Sequence, residues 1–422
     1  MKILAVGDIH LGRTPSRLPP ELAAQARRFG PAVAWERTVE AAVEAGVRAV
    51  LLAGDVVDRD DDFFEAYGQL ARGVRRLADA DIDVIGVAGN HDVKVLPRLA
   101  GEIPAFRLLG AGGEWEHCEI ADGRESVTIW GWSFPQARVI QSPLPDAPFK
   151  RRPGLNLGLL HCDRDAGASP YAPVAGTELE RAGLDGWLLG HIHVPDKLTA
   201  ASAKGYLGSL TGLHRGETGA RGPWLIGIGR GSIVEVEHLP LAPLRWQRLD
   251  VDLEGISEPV DVKGRLLEAL RALDEELANA AHRPDAVGLD IRLCGRSRFG
   301  AAAIGVFSGE DRERIDIGTG GTHYFIESIS ADTRPEIDLE KLAGRGDPPG
   351  LLAQRLLWLE QPEGHEERDR LVALARNHLR NESRNSRWSG LGEPLDADPV
   401  EWLRNAGFRA LETLLAQSPE QV

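Results

Sequence analysis

Five times along this chain a short apolar run stops and hands over to side chains that bind cations. Residues 2–6 run into Gly7-Asp8-Ile9-His10. Residues 47–53 run into Gly54-Asp55, with Asp58 close behind. Residues 82–88 end in Gly89-Asn90-His91-Asp92, residues 155–160 end in His161, and residues 187–189 end in Gly190-His191-Ile192-His193. Short apolar runs bounded by glycine read as buried strands. Asp8 and His10 lie two apart, so in an extended segment they point the same way. Singly, each residue has an ordinary explanation: an Asp or Asn at a strand end forms turns, and a lone His is a satisfied polar group. The recurrence makes one shared site the better reading, and it requires a fold that gathers five strand ends in one place.

Between the runs, Trp35, Val39, Ala42 and Val43 mark one helix face. Phe63, Tyr67, Leu70, Val74 and Leu77 mark another. Strand, helix, strand, helix, strand predicts a parallel sheet covered by helices, with ligands beyond the carboxyl ends of the strands. Further strands at 127–132, 155–160, 187–189, 224–228 and 233–238 predict a second sheet stacked on the first. Residues 13–30, rich in Pro and Arg and aperiodic, read as a long loop. Its Arg13, Arg17, Arg27 and Arg28 are either solvated or placed to meet a phosphate backbone.

Downstream, strands at 245–252, 287–294 and 324–329 with a helix at 260–280 predict a small α/β unit. After a loop at 345–350 come two apolar stripes, Leu352-Leu356-Leu359 and Leu371-Leu374-Leu379. In the last segment Asp398 can cap, Pro399 suits the first helical position and Glu401 completes a capping box. Val400, Leu403, Gly407, Leu411 and Leu414 share a face there. Short helices of this kind must bury their stripes on each other, on the α/β unit or on another protein.

The 422 residues suit two or three domains. A net charge of -15 argues against binding nucleic acid through the global field, so such contact needs local arginines or bound cations. Cys118, Cys162 and Cys294 form neither a disulfide framework nor a zinc pattern. With no apolar run of spanning length and a strand at the start, the expectation is a soluble, cytoplasmic chain without a membrane partner. Nitrogen and oxygen donors without cysteine fit a pair of manganese, iron or zinc ions better than calcium. A shared carboxylate would hold two ions about 4 Å apart, the spacing of two-metal hydrolytic sites. Two divalent ions also balance Asp8, Asp55, a bridging hydroxide and one phosphodiester.

The series Asp8-x-His10, Gly54-Asp55-x-x-Asp58, Gly89-Asn90-His91-Asp92, His161 and Gly190-His191-x-His193 resembles the calcineurin-like metallophosphoesterases over roughly the first 245 residues. The resemblance implies a two-sheet αββα sandwich. It implies one metal on Asp8, His10, Asp55 and His193 and a second on Asp55, Asn90, His161 and His191, with Asp55 bridging and manganese the expected ion. His91 would face the substrate as proton donor or charge stabiliser, attack coming from a metal-bound hydroxide. Asp58 and Asp92 would orient ligands.

Tyr206-Leu207-Gly208-Ser209-Leu210, followed by Glu217 and Gly222, is similar to DNA-repair exonucleases of the SbcD type, particularly the YhaO-like branch. That likeness implies a catalytic domain at 1–245, an α/β cap domain at 246–345 and a C-terminal helical segment at 351–422. In the cap, Arg292, Arg296 and Arg298 become candidate DNA contacts. It also implies DNA as substrate, a homodimer as one assembly, and a coiled-coil ATPase of the SbcC or YhaN type docked on the last helices. Arg368, Arg370, Arg376, Arg380, Arg384 and Arg387 would meet that partner. Three functions stay open at this level: a nuclease subunit, a phosphatase for small-molecule or protein phosphates, and a silent adaptor, the last disfavoured by the intact donor set.

Overall fold

The computed structural model describes residues 1–416 apart from 124, 146, 281, 319–320, 335 and 384–398. The chain divides into two compact units, Met1–Cys294 with Ala301–Asp332, and Gly295–Gly300 with Thr333–Val422. In the first unit the order is β1 (Lys2–Val6), α1 (Pro20–Ala23), α2 (Pro31–Ala45), β2 (Ala49–Leu52), α3 (Phe63–Ala78), β3 (Asp83–Gly86), α4 (Val95–Glu102) and β4 (Phe106–Leu108). There follow β5 (Glu116–Asp122), β6 (Glu125–Trp132), β7 (Leu155–His161), the short β8 (Asp163–Arg164) and β9 (Pro173–Val174), and α5 (Gly176–Arg181). The unit continues with β10 (Gly186–Gly190), β11 (Lys204–Tyr206), β12 (Trp224–Gly229), β13 (Ser232–His238), β14 (Leu244–Asp252), α6 (Asp261–Ala278), β15 (Ala286–Cys294), α7 (Gly309–Glu313) and β16 (His323–Ala331).

A six-stranded sheet, β13-β12-β1-β2-β3-β4, stacks on a five-stranded one, β11-β10-β7-β6-β5. Alternation in β1 shows how the layers form. Leu4 and Val6 join Trp35, Val39, Leu70 and Val74 beneath α2 and α3, whereas Ile3 and Ala5 join Leu157, Leu159 and Leu188 between the sheets. Trp130, Trp132, Trp187 and Tyr206 cover the far face of the second sheet with Leu179 of α5. The α2 helix starts with Pro31 at its first position and stops at Gly46, whose φ of 59° closes the left-handed C-cap.

Two expectations are corrected. The strands at 224–228 and 233–238 do not enter the second sheet: β12 pairs antiparallel with β1 (Ile3↔Ile226), which makes β1 central in the first sheet. Residues 13–30 are not a featureless loop either, since they hold α1 and a 3-10 turn at Ala26–Phe29. Their apolar side chains, Leu22 and Phe29 with Leu18 alongside, pack on Leu244, Trp246, Ala286 and Phe325 of the parallel sheet β14-β15-β16. The stretch is dominated by proline and arginine and is split between a four-residue helix and a 3-10 turn, so only the packing reveals them.

The second unit contains α8 (Leu339–Ala343), α9 (Pro348–Leu359), α10 (Glu366–Ser383) and α11 (Pro399–Ala416). Its core joins Leu339, Ala353, Leu356, Leu359, Val372, Phe408 and Leu411. The α9 stripe is as expected, but on α10 Val372 is buried and Leu374 stands 55% exposed, while on α11 Phe408 joins Leu411. Arg296 belongs to this unit and not to the cap sheet, its guanidinium 3.4 Å over the Phe408 ring, a contact worth about 0.5–1 kcal/mol. Arg368 pairs with Glu363 and Asp369. The cap expected at Asp398, and Arg384 and Arg387, lie outside the described residues, as does the side chain of Arg380. No helix among the described residues is long and apolar enough to cross a membrane.

Candidate metal centre

Main-chain bonds zip the strand-end loops together before any side chain is considered. His10 N–H and Leu11 N–H donate to the Asp55 and Val56 carbonyls at 2.9 and 2.8 Å, and Leu210 N–H donates to the Asp8 carbonyl at 3.2 Å. Asp92, fully buried, accepts from Gly89, Val56 and Val57 N–H at 2.8, 2.7 and 3.2 Å and so joins the loops after β2 and β3. Burial and the nearby Asp55 push its carboxyl up to about 7. Asp92 therefore orients loops, whereas Asp58 orients a histidine.

Four of the expected donors sit on left-handed backbone: Asp8 (φ 22°), His10 (56°), Asp55 (45°) and His191 (103°). Such strain at non-glycine residues persists only where surrounding bonds over-determine it, as these do. Two glycines make the approach possible. A Cβ on Gly89 would overlap Asp55 Oδ1, and one on Gly190 would overlap the Ala53 carbonyl.

The expected donors converge. His161 Nδ1 lies 3.1 Å from the Ala53 carbonyl and donates to it, which turns the lone pair of Nε2 toward Asn90 Oδ1 at 3.1 Å and Asp55 Oδ2 at 3.3 Å. His10 Nδ1 lies 3.1 Å from Asp58 Oδ1, and His193 Nδ1 lies 2.7 Å from Glu217 Oε1. With both Nδ1–H groups donating to carboxylates, the two Nε2 lone pairs face each other at 3.1 Å. Asp55 Oδ2 also stands 3.9 Å from His10 Nε2, between the two histidine sets. Asp8, His10 and His193 offer atoms within 4.8 Å of one another, and so do Asp8, Asp55 and His161. His191 donates its backbone N–H to Asp8 at 3.0 Å, and its ring lies 5.2 Å from that of His161.

A set in which nearly every inward atom is an acceptor needs positive charge between its members. Divalent ions with mixed oxygen and imidazole preference fit that requirement. Without ions, a proton on His161 meets part of that need. Burial pushes the Asp55 carboxyl up, but His161 and His10 outweigh it and hold it well below the usual carboxylate range. Burial lowers His161, yet Asp55 and Asp8 raise it to about 9. Burial raises Asp8, and burial with the neighbouring His161 drives His191 down to about 4.

His91 is exposed beside this set. Its Nδ1 donates to the Asp58 carbonyl at 2.8 Å, its backbone N–H to Asp55 Oδ1 at 2.9 Å, and its ring centroid is 5.1 Å from that of His10. Its Nε2 makes no hydrogen bond among the described residues. Of the arginines, Arg13 approaches Asp58 at 3.5 Å, Arg17 pairs with Glu327, Arg28 with Gln25, and Arg27 is exposed. Arg292, expected as a DNA contact, is taken by Asp250 and Asp332.

Two residues that shape the centre have no role in the pattern of strand ends. Glu217, with 3% of its side chain exposed, holds His193, accepts from Leu213 N–H at 2.8 Å and lies 3.1 Å from His214 Nε2. Burial raises its carboxyl, but His193 brings it down to about 2. The buried Arg221 donates to the His193 carbonyl and, at 3.0 Å, to that of Thr218. Neither sits at a strand end, so only tertiary closure brings them in.

Fold and site together define a hydrolase-type cation centre at the carboxyl ends of a two-sheet sandwich. Residues 1–195 match the family model described as calcineurin-like phosphoesterase, and the chain carries a domain of that family. It is 29% identical over 230 residues to the uncharacterized metallophosphoesterase YhaO of Bacillus subtilis, covering 51% of this chain and 53% of that protein. The chain thus spans about half the length of that relative. The DNA double-strand break repair protein Mre11 of Methanopyrus kandleri is 24% identical over 344 residues, 75% of this chain and 70% of its own. Mre11 of Halobacterium salinarum is 24% identical over 391 residues, covering 88% and 89%.

Proposed function

We propose that this chain is a two-cation phosphodiesterase acting on DNA, the nuclease subunit of a repair assembly. The observation that carries the phosphodiesterase reading is Asp55 Oδ2 standing between His161 and His10 in a set of inward oxygen and imidazole donors. The DNA reading is supported by relatives named as double-strand break repair proteins. In this reading Asp8, His10, Asp55 and His193 hold one ion and Asp55, Asn90, His161 and His191 the other. When bound, the two ions supply Lewis acidity toward the phosphoryl oxygens. His91, tied at Nδ1 to the Asp58 carbonyl, presents Nε2 to the substrate and in its protonated form donates to the departing oxygen. Asp58 and Glu217 fix the His10 and His193 rings so that each Nε2 points inward.

Residues 1–245 are the catalytic domain, 246–345 the cap and 351–422 the docking segment for a coiled-coil ATPase of the SbcC or YhaN type, in a cytoplasmic assembly that includes a homodimer. The acidic balance of the chain supports a partner that contributes to DNA grip. The test is hydrolysis of linear DNA with manganese, with and without such an ATPase. Expected is turnover abolished by chelation. Robust hydrolysis of phosphomonoesters with none of DNA would favour the phosphatase alternative.

A further inference from the structure

Glu327 lies on β16 with 5% of its side chain exposed, and its two oxygens serve two different arginines. Arg17 Nη1 donates to Oε1 at 2.9 Å and Arg215 Nη1 to Oε2 at 3.2 Å. Both arginines come from loops that start at the candidate centre. Arg17 follows His10, and Arg215 stands beside Glu217, which holds His193. The two loops are tied together, Ser16 N–H donating to the Leu213 carbonyl at 3.1 Å. Among the described residues no other acid pairs with either arginine. A groove of about 400 Å³ opens alongside, lined in part by Arg17, Arg312 and Phe325.

The acid is buried, while the two arginine side chains it holds are 63% and 51% exposed. Two guanidiniums on the two oxygens of one singly charged group is also the arrangement that grips a phosphodiester, whose two non-bridging oxygens carry one charge. We propose that Arg17 and Arg215 form a phosphodiester-binding pair that the Glu327 carboxylate occupies in the free protein, and that a nucleic-acid backbone phosphate displaces it. This rests on the DNA reading above. The latch gives a chain of net charge -15 two cations on loops that lead from the centre, withheld from small anions and released to a polyanion that makes several contacts at once.

The test is binding of a fluorescent duplex with a single-stranded overhang to the full chain, read by anisotropy across a salt series, with cleavage of the same oligonucleotide followed separately. Glu327→Gln is expected to bind about tenfold tighter at low salt, because the pair is freed from its acid. Adding Arg17→Ala and Arg215→Ala should remove that gain and flatten the plot of log affinity against log salt by about two. Unchanged or weaker binding by Glu327→Gln would overturn the latch even if the wild-type chain cleaves DNA. Tighter binding without DNA cleavage would keep the latch and sink the nuclease reading. If Glu327→Gln melts early, Arg17→Ala/Arg215→Ala in the wild-type background decides. The salt slope drops by about two if both guanidiniums transfer to phosphates, and an unaltered slope overturns the proposal.

Discussion

The two halves of the candidate centre are held by different means. On the inner side His161 is fixed by the Ala53 carbonyl, and the loops carrying Asp55 and Asn90 are pinned through backbone N–H groups by Asp92. On the outer side His10 and His193 are fixed by the carboxylates of Asp58 and Glu217, and His91 stands in solvent. The Ala53 carbonyl, being main chain, neither titrates nor yields to substitution, although the Asp92 carboxylate that pins the loops does both. A carboxylate tether does both, and it makes the histidine it holds a stronger donor to a cation. The His161 ring is thus held by the fold itself, and the outer rings can be tuned one side chain at a time.

The strongest challenge to that contrast is Asp55→Asn, since Asp55 belongs to both halves. Bound metal should fall from two ions per chain to fewer than one, with turnover down by about a thousandfold or more. Retention of one tightly held ion, measured by elemental analysis, would mean that the halves do not share it. His91→Ala should leave both ions in place and lower the rate by about a hundredfold or more, so that metal content and kcat separate. Loss of an ion would make His91 a ligand of the outer half.

Glu217→Gln is expected to weaken one metal site only, by about tenfold in a two-step metal titration, the other step staying put. Equal weakening of both steps would erase the distinction between main-chain and carboxylate tethers. The smallest change belongs to Asp58→Asn. The amide oxygen can still accept from His10 Nδ1–H, and Arg13 already offsets part of the charge, so affinity should drop by only about threefold. A larger loss would show that charge at Asp58, more than orientation, sustains the outer site.

Most of this centre is legible in the amino-acid sequence because its donors cluster at strand ends, where an apolar run announces the element and the next residues must lie at the sheet's carboxyl edge. Asp8, His10, Asp55, Asn90, His161, His191 and His193 all follow that logic. What is not legible depends on which loops close over which. Glu217 and Arg221 come from a stretch without periodicity, and nothing local says that they reach His193. The same holds for Leu18, Leu22 and Phe29, apolar residues scattered in a Pro- and Arg-rich stretch that become the seat of the three-stranded sheet. The strand pair after Gly222 is visible in the sequence but its sheet is not, because alternation reveals a strand and not its neighbour.

The pairing of β1 with β12 sets an order of events during synthesis. The first strand stays without one of its two neighbours until residues near 224–229 have been made, and His10 meets His193 only across 183 positions of chain. At ribosomal speeds that is a wait of roughly ten to forty seconds. In that interval Asp8, His10 and Asp55 are a nascent, incomplete chelator beside an open strand edge. The last side chains of the centre, His193 and then Glu217, are made shortly before the strand that closes the sheet, so centre and sheet are completed at neighbouring points of synthesis.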